Sequence, residues 1–135
     1  MCNVINSPLL SIVTINFNGY KDTCELIDSI KRHIHSVSYE IIVVDNASSD
    51  GSVQAIREQF PQVILIEAGD NIGFGRANNL GAKSATGEFL FLLNSDTLLI
   101  ENSLKKLMDC FLTYSQKEKI GVLGAVLIDE NNNVI

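Results

Sequence analysis

Three apolar runs in this chain each stop abruptly at polar residues: Ile12–Ile15 at Asn16, Phe17 and Asn18, Ile41–Val44 at Asp45, and Phe89–Leu93 at Asn94, Ser95 and Asp96. Uninterrupted runs of this kind read as strands buried on both faces, which is the signature of a parallel sheet. In open parallel sheets ligands collect at the carboxyl ends of the strands. Two carboxylates and an aromatic ring, far apart in sequence, are therefore expected on one rim.

The intervening segments supply the helices such a sheet requires. Leu9 to Phe17 reads as the first strand, and Tyr20 to about Ile34 as a helix with Leu26, Ile27, Ile30 and Ile34 on one face. Glu40 to Asp45 is the second strand; a helix through Val53, Ile56 and Phe60 stops at Pro61. Val63 to Ile66 is the third strand, Ala77 to Ala85 the third helix and Glu88 to Leu93 the fourth strand. A helix from about Glu101 to Tyr114 carries Leu104, Leu107, Met108 and Phe111. An apolar run from Ile120 to Ile128 then leads into a turn at Asn131–Asn133 that looks like the middle of a hairpin. The alternation predicts an α/β chain: a three-layer, Rossmann-like, mostly parallel sheet with right-handed crossovers and helices on both faces.

The 135 residues, 46% of them hydrophobic, fit one globular domain, preceded by a short, loose start. Ten basic against 16 acidic residues give a net charge of -6 with no basic stripe, so nucleic acid is a poor partner. An acidic chain that binds a nucleotide diphosphate needs a cation or a few placed basic groups to offset charge. Cys2, Cys24 and Cys110 are widely spaced and form no C-x-x-C pair, which suggests reduced thiols in a cytoplasmic protein. His33 and His35 read as surface histidines. No basic leader precedes an apolar segment, and no run approaches the roughly 20 residues of a membrane-spanning helix.

Three segments could carry chemistry. In Asn94-Ser95-Asp96-Thr97, Asp96 is placed to ligate a hard cation, Mg2+ or Mn2+, which takes carboxylate, phosphate and water oxygens; the alternative is a simple helix cap. Asp45 ends the second strand. Ser48, Ser49 and Asp50 can do the local capping, which leaves Asp45 freer to accept from a base or a ribose, with Phe17 available for stacking. Asn71 to Gly81 is glycine-rich and opens a helix, and suggests a phosphate cradle with Arg76 as its basic group. It lacks the third glycine of a dinucleotide fingerprint, and Gly73 and Gly75 could instead serve only an unusual backbone angle.

The series SIVTINFNGY, EIIVVDNASSDGS, NIGFGRANNLG and GEFLFLLNSDT, in that order, resembles the family 2 glycosyltransferases of the GT-A fold, especially the bacterial subset that includes rhamnosyltransferases of surface-polysaccharide assembly. The resemblance runs from about Leu9 to Val126. It implies a donor site for a UDP- or dTDP-sugar: Phe17 and Asn18 bordering the nucleoside, Asp45 on the base, Asn71, Gly73, Arg76 and Asn79 shaping the adjoining loop, Ser95 beside them, and Asp96 on the metal. Asn94 stands where the family's metal motif usually has an acid. The resemblance further implies inverting transfer to a saccharide or lipid-linked acceptor, in a parent enzyme at the inner face of the membrane. Family members are longer, and their later part supplies the acceptor site and the general base. Residues 1–135 are accordingly expected to be a single donor-binding portion, from a truncated form or a broken gene product, with apolar sheet edges that a homo-oligomer would cover. The competing readings are an inactive nucleotide-binding or oligomerisation module and a nucleotidyltransferase; for the latter, Asn16 to Lys21 offers only Gly19 and Lys21 as a phosphate loop.

Overall fold

The computed structural model describes residues 7–129 and 131–134. Cys2 and the loose start fall outside the described residues. Four strands, β1 (Leu10–Asn16), β2 (Tyr39–Asp45), β3 (Ile64–Glu67) and β4 (Phe89–Leu92), form one sheet in the order β3-β2-β1-β4. Every pairing is parallel, with Asn16 level with Asp45 and Asp45 level with Glu67. The helices are α1 (Tyr20–His33), α2 (Ser52–Gln59), α3 (Phe74–Ser84) and α4 (Ser103–Thr113).

Side-chain alternation divides the core into two layers. Leu10, Ile12, Ile41 and Val43 turn to one face and meet Leu26, Ile27 and Ile30 of α1, Ile56 of α2 and Leu104 of α4. Val13, Ile15, Ile42 and Val44 turn to the other and meet Ala77 of α3. Each fully buried Leu or Ile contributes about 1.5–3 kcal/mol relative to an exposed one, so α1 is held mainly by Leu26, Ile27 and Ile30. The third helix lies close because Gly81 faces the sheet: a Cβ there would stand 2.5 Å from Val13 Cγ1. The chain steps from β1 outward to β3 and then returns to the far side of β1, and the covering helix changes face at that reversal, as a uniform crossover hand demands.

Several elements differ from the sequence reading. The third helix begins at Phe74, three residues earlier than expected, because Gly73 takes φ +81° and turns the chain into the helix while Gly75 is accommodated within it. The fourth strand is not buried on both faces: it lies at the sheet edge with Leu90 and Leu92 about half exposed. Residues 120–127 form no strand and leave Val122 and Val126 largely exposed, since among the described residues no strand lies on the outer side of β4 to receive them. The turn after them is a hairpin fragment: Ile128 bridges Val134 antiparallel, and Asp129 accepts from the N–H groups of Asn131 and Asn133, both at 2.8 Å.

Candidate functional site

The order in which strands are added reverses between β1 and β4, and at such a switch point the loops leaving the two parallel strands diverge and open a crevice at their carboxyl ends. Here the opening is a cleft of about 700 Å³. Phe17, Asn18 and Gly19 follow β1, Asn94, Ser95 and Asp96 follow β4, and Asn46, Asn71 and Phe74 close the side toward α3. Asp22 in the first turn of α1 adds a second carboxylate to the lining. Phe17 and Phe74 are 49% and 60% exposed, unusual for aromatic rings and apt for stacking on a planar ligand.

Beneath this rim lies a buried polar network. Asn16, fully buried, donates from Nδ2 to Asp45 Oδ1 (2.8 Å) and to Ser48 Oγ (2.9 Å), and its Oδ1 accepts from the Thr23 hydroxyl (2.8 Å). Asp45 Oδ2 accepts from the Ser48 N–H at 2.9 Å, so the carboxylate itself holds the turn that leaves β2. With 2% exposure, Asp45 lies under the cleft and is not among its lining residues. The physical reason is strand alternation: Val43 and Asp45 share the α1 face, while Val44 and Asn46 share the α3 face on which the cleft opens. Asn46, which the sequence reading takes together with Asp45 without giving it a role, lines the cleft, and counting alternate residues from the buried run separates the two. Phe74 was missed because the helix was begun too late.

Of the expected site residues, Phe17, Asn18, Asn71, Ser95 and Asp96 are brought together in the cleft lining. Gly73 turns the chain into α3 just behind it, and Arg76 and Asn79 are exposed on α3 outside the lining. Asn78, not Asn79, turns inward; it is buried and its amide donates to the Phe74 carbonyl. Asp50 ties the rim's outer side, accepting from Ser52 N–H (3.0 Å) and from Tyr20 N–H (3.3 Å) at the starts of two helices. Hydrogen bonding from Ser52 holds its carboxyl below the ordinary aspartate range.

The sequence of this chain matches the family described as glycosyl transferase family 2 over residues 11–130. The chain belongs to that family. It is 30% identical to an uncharacterized glycosyltransferase of Nostoc sp., covering 93% of this chain and 39% of that protein. It is 27% identical to the O-antigen biosynthesis protein RfbC of Myxococcus xanthus, covering 93% of this chain but 10% of that one. Among solved structures it resembles S. aureus TarS 1–349 in complex with UDP-GlcNAc, with a TM-score of 0.64 and 26% identity over 76% of this chain and 30% of that one. A mannosyltransferase of Pyrobaculum calidifontis, in complex with GDP-Man and Mn2+, shares the fold with a TM-score of 0.67 and 22% identity over 95% of this chain and 38% of that one. The chain thus spans less than two fifths of the length of the first curated relatives it matches.

The family's GT-A fold is the architecture described above. Among the described residues no group of three or more His, Cys, Asp or Glu could hold a metal unaided. Asp96 is exposed in the cleft and has no hydrogen-bond or ion-pair partner among the described residues, with Asp22 lining the same space. One or two free carboxylates fit a Mg2+- or Mn2+-type site, whose remaining ligands are substrate phosphates and water. No helix among the described residues is long and apolar enough to cross a membrane.

Proposed function

We propose that the cleft between β1 and β4 is the donor site of an inverting glycosyltransferase and binds a nucleoside diphosphate sugar, with UDP-sugars the first candidates. The observation that carries this reading is convergence: four segments that carry the family resemblance send Phe17, Asn18, Asn46, Asn71, Ser95 and Asp96 to one cleft at the switch point of the sheet. The likeness to TarS bound to UDP-GlcNAc supports the choice of uridine. Phe17 would stack on the base, the amides of Asn18 and Asn71 would take ribose or phosphate oxygens, and Asp45 would act from below by holding Asn16 and the turn to Ser48. Asp96, with Asp22 near it, would hold the cation. Bound there, the cation would act as a Lewis acid that stabilises charge on the departing diphosphate.

In the transfer the acceptor oxygen bonds to the anomeric carbon, the bond from that carbon to the diphosphate breaks, and the acceptor proton passes to a general base. We assign the base and the acceptor site to the length of the relatives that this chain does not span. A role in surface-polysaccharide assembly at the cytoplasmic side of a membrane accords with the likeness to an O-antigen biosynthesis protein. Calorimetry with UDP and dTDP, with and without Mn2+, tests the donor site: saturable heat is expected, with Phe17→Ala weakening it and Asp96→Asn removing its metal dependence. Silence of the unmodified chain at millimolar nucleotide refutes the reading.

A further inference from the structure

Asn46, 4% exposed, is fixed at the end of β2 by its own N–H, which donates to the Asn16 carbonyl at 2.8 Å. Its side chain performs two opposite tasks. Oδ1 accepts from the Ile72 N–H (2.9 Å), while Nδ2 donates to Asn71 Oδ1 (2.8 Å), an oxygen that also accepts from the Gly73 N–H (3.1 Å). Backbone N–H groups only donate, so Ile72 and Gly73 between them fix the orientation of both amides. Position 46 must therefore accept on one side and donate on the other. A carboxylate there would face Asn71 Oδ1 with a second acceptor, and an alanine would meet neither requirement.

The segment so held has little else to hold it. Gly69 and Gly73 bracket it with φ of +80° and +81°. Among the described residues the Asn46 amide makes the only hydrogen bonds from residues 69–72 to another element, with the partly buried Ile72 side chain packed against the α3-side core. Immediately after it come Phe74 and the start of α3, whose first N–H groups have no side-chain cap. We propose that Asn46 is a positioning residue for donor binding: its amide sets the Asn71–Gly73 loop, and through it the place of Phe74 and the α3 N-terminus in the cleft. The part about the donor rests on the function proposed above.

The chain contains no tryptophan, so Phe74→Trp places a single tryptophan, excited apart from the tyrosines, at the first position of α3 directly after the loop. Acrylamide quenching of that tryptophan, far-UV circular dichroism and UDP titration are compared in Phe74→Trp alone and combined with Asn46→Asp or Asn46→Ala, and UDP calorimetry is repeated in the Phe74 background. Both Asn46 changes are expected to raise quenching and weaken UDP binding about tenfold, the equivalent of one or two lost polar contacts, with the circular dichroism unchanged. Unchanged quenching overturns the proposal whether or not UDP binds, as does quenching that rises only in step with lost helix signal. Raised quenching in a protein whose parent is silent toward UDP overturns the donor reading and upholds the loop clamp.

Discussion

At the scale of single residues, a buried polar group in the sheet costs stability unless a partner meets it. Asn16, Asp45 and Thr23 satisfy one another, whereas the Thr14 hydroxyl, wholly buried in β1, has no partner among the described residues. An unpaired buried hydroxyl costs stability that an apolar group of the same shape does not. Thr14→Val is expected to stabilise the chain by about 1 kcal/mol, read as a higher urea midpoint with unchanged slope. A lower midpoint would mean that the hydroxyl has an unseen partner. Asp45 and Phe17 make a contrasting pair: Asp45→Ala should lower the melting temperature by releasing the turn to Ser48 and stranding Asn16, while Phe17→Ala should leave it nearly unchanged and alter nucleotide binding.

At the scale of elements, two close approaches set how the helices and strands seat. The third helix meets the sheet at Gly81, where an added methyl would collide with Val13 and press on Val44, both stiff at χ1 in buried strands. Gly81→Ala should cost about 1–3 kcal/mol by overpacking, measured by chemical denaturation. At the opposite end of the sheet, Glu40 joins β2 to β1 and to the turn before β4: its Oε1 accepts from the Ser11 hydroxyl (2.5 Å), the Thr86 N–H (2.7 Å) and the Thr86 hydroxyl (3.0 Å). Burial pushes its pKa up, but the hydrogen bonds from Ser11 and Thr86 outweigh it and leave the carboxyl below the ordinary glutamate range. A depressed folded-state pKa gives stability that is present above the unfolded glutamate pKa and lost as pH falls through the folded one. Glu40→Gln should therefore flatten the loss of stability as pH falls below the unfolded glutamate pKa of about 4.3, seen as converging melting temperatures of the two proteins in acid.

At the scale of the whole molecule, the two sides of the sheet end differently. At one edge Glu67 of β3 pairs with Arg57 of α2. At the other, β4 presents Leu90 and Leu92, and an apolar groove of about 720 Å³ runs between it, Phe111 of α4 and residues 120–127. Such an edge invites pairing with another chain. The isolated chain is expected to self-associate at high concentration, and Leu90→Lys with Leu92→Lys to return it toward monomer in light scattering. A monomer at every concentration tested would show that the groove is covered from within.

The amino-acid order alone determined the alternation of strands and helices and the parallel sheet, because buried runs and amphipathic periods are local properties that survive whatever the neighbours do. It also carried the family, through four segments whose order could be read without coordinates. What only the tertiary structure decided was direction and company. Asp45 turns under the rim and Asn46 turns into the cleft because the strand period assigns adjacent residues to opposite faces, and only the position of α3 says which face opens. Phe89–Leu92 reads as a core strand but lies half exposed, because burial needs a second neighbour that a run of leucines and phenylalanines cannot itself supply.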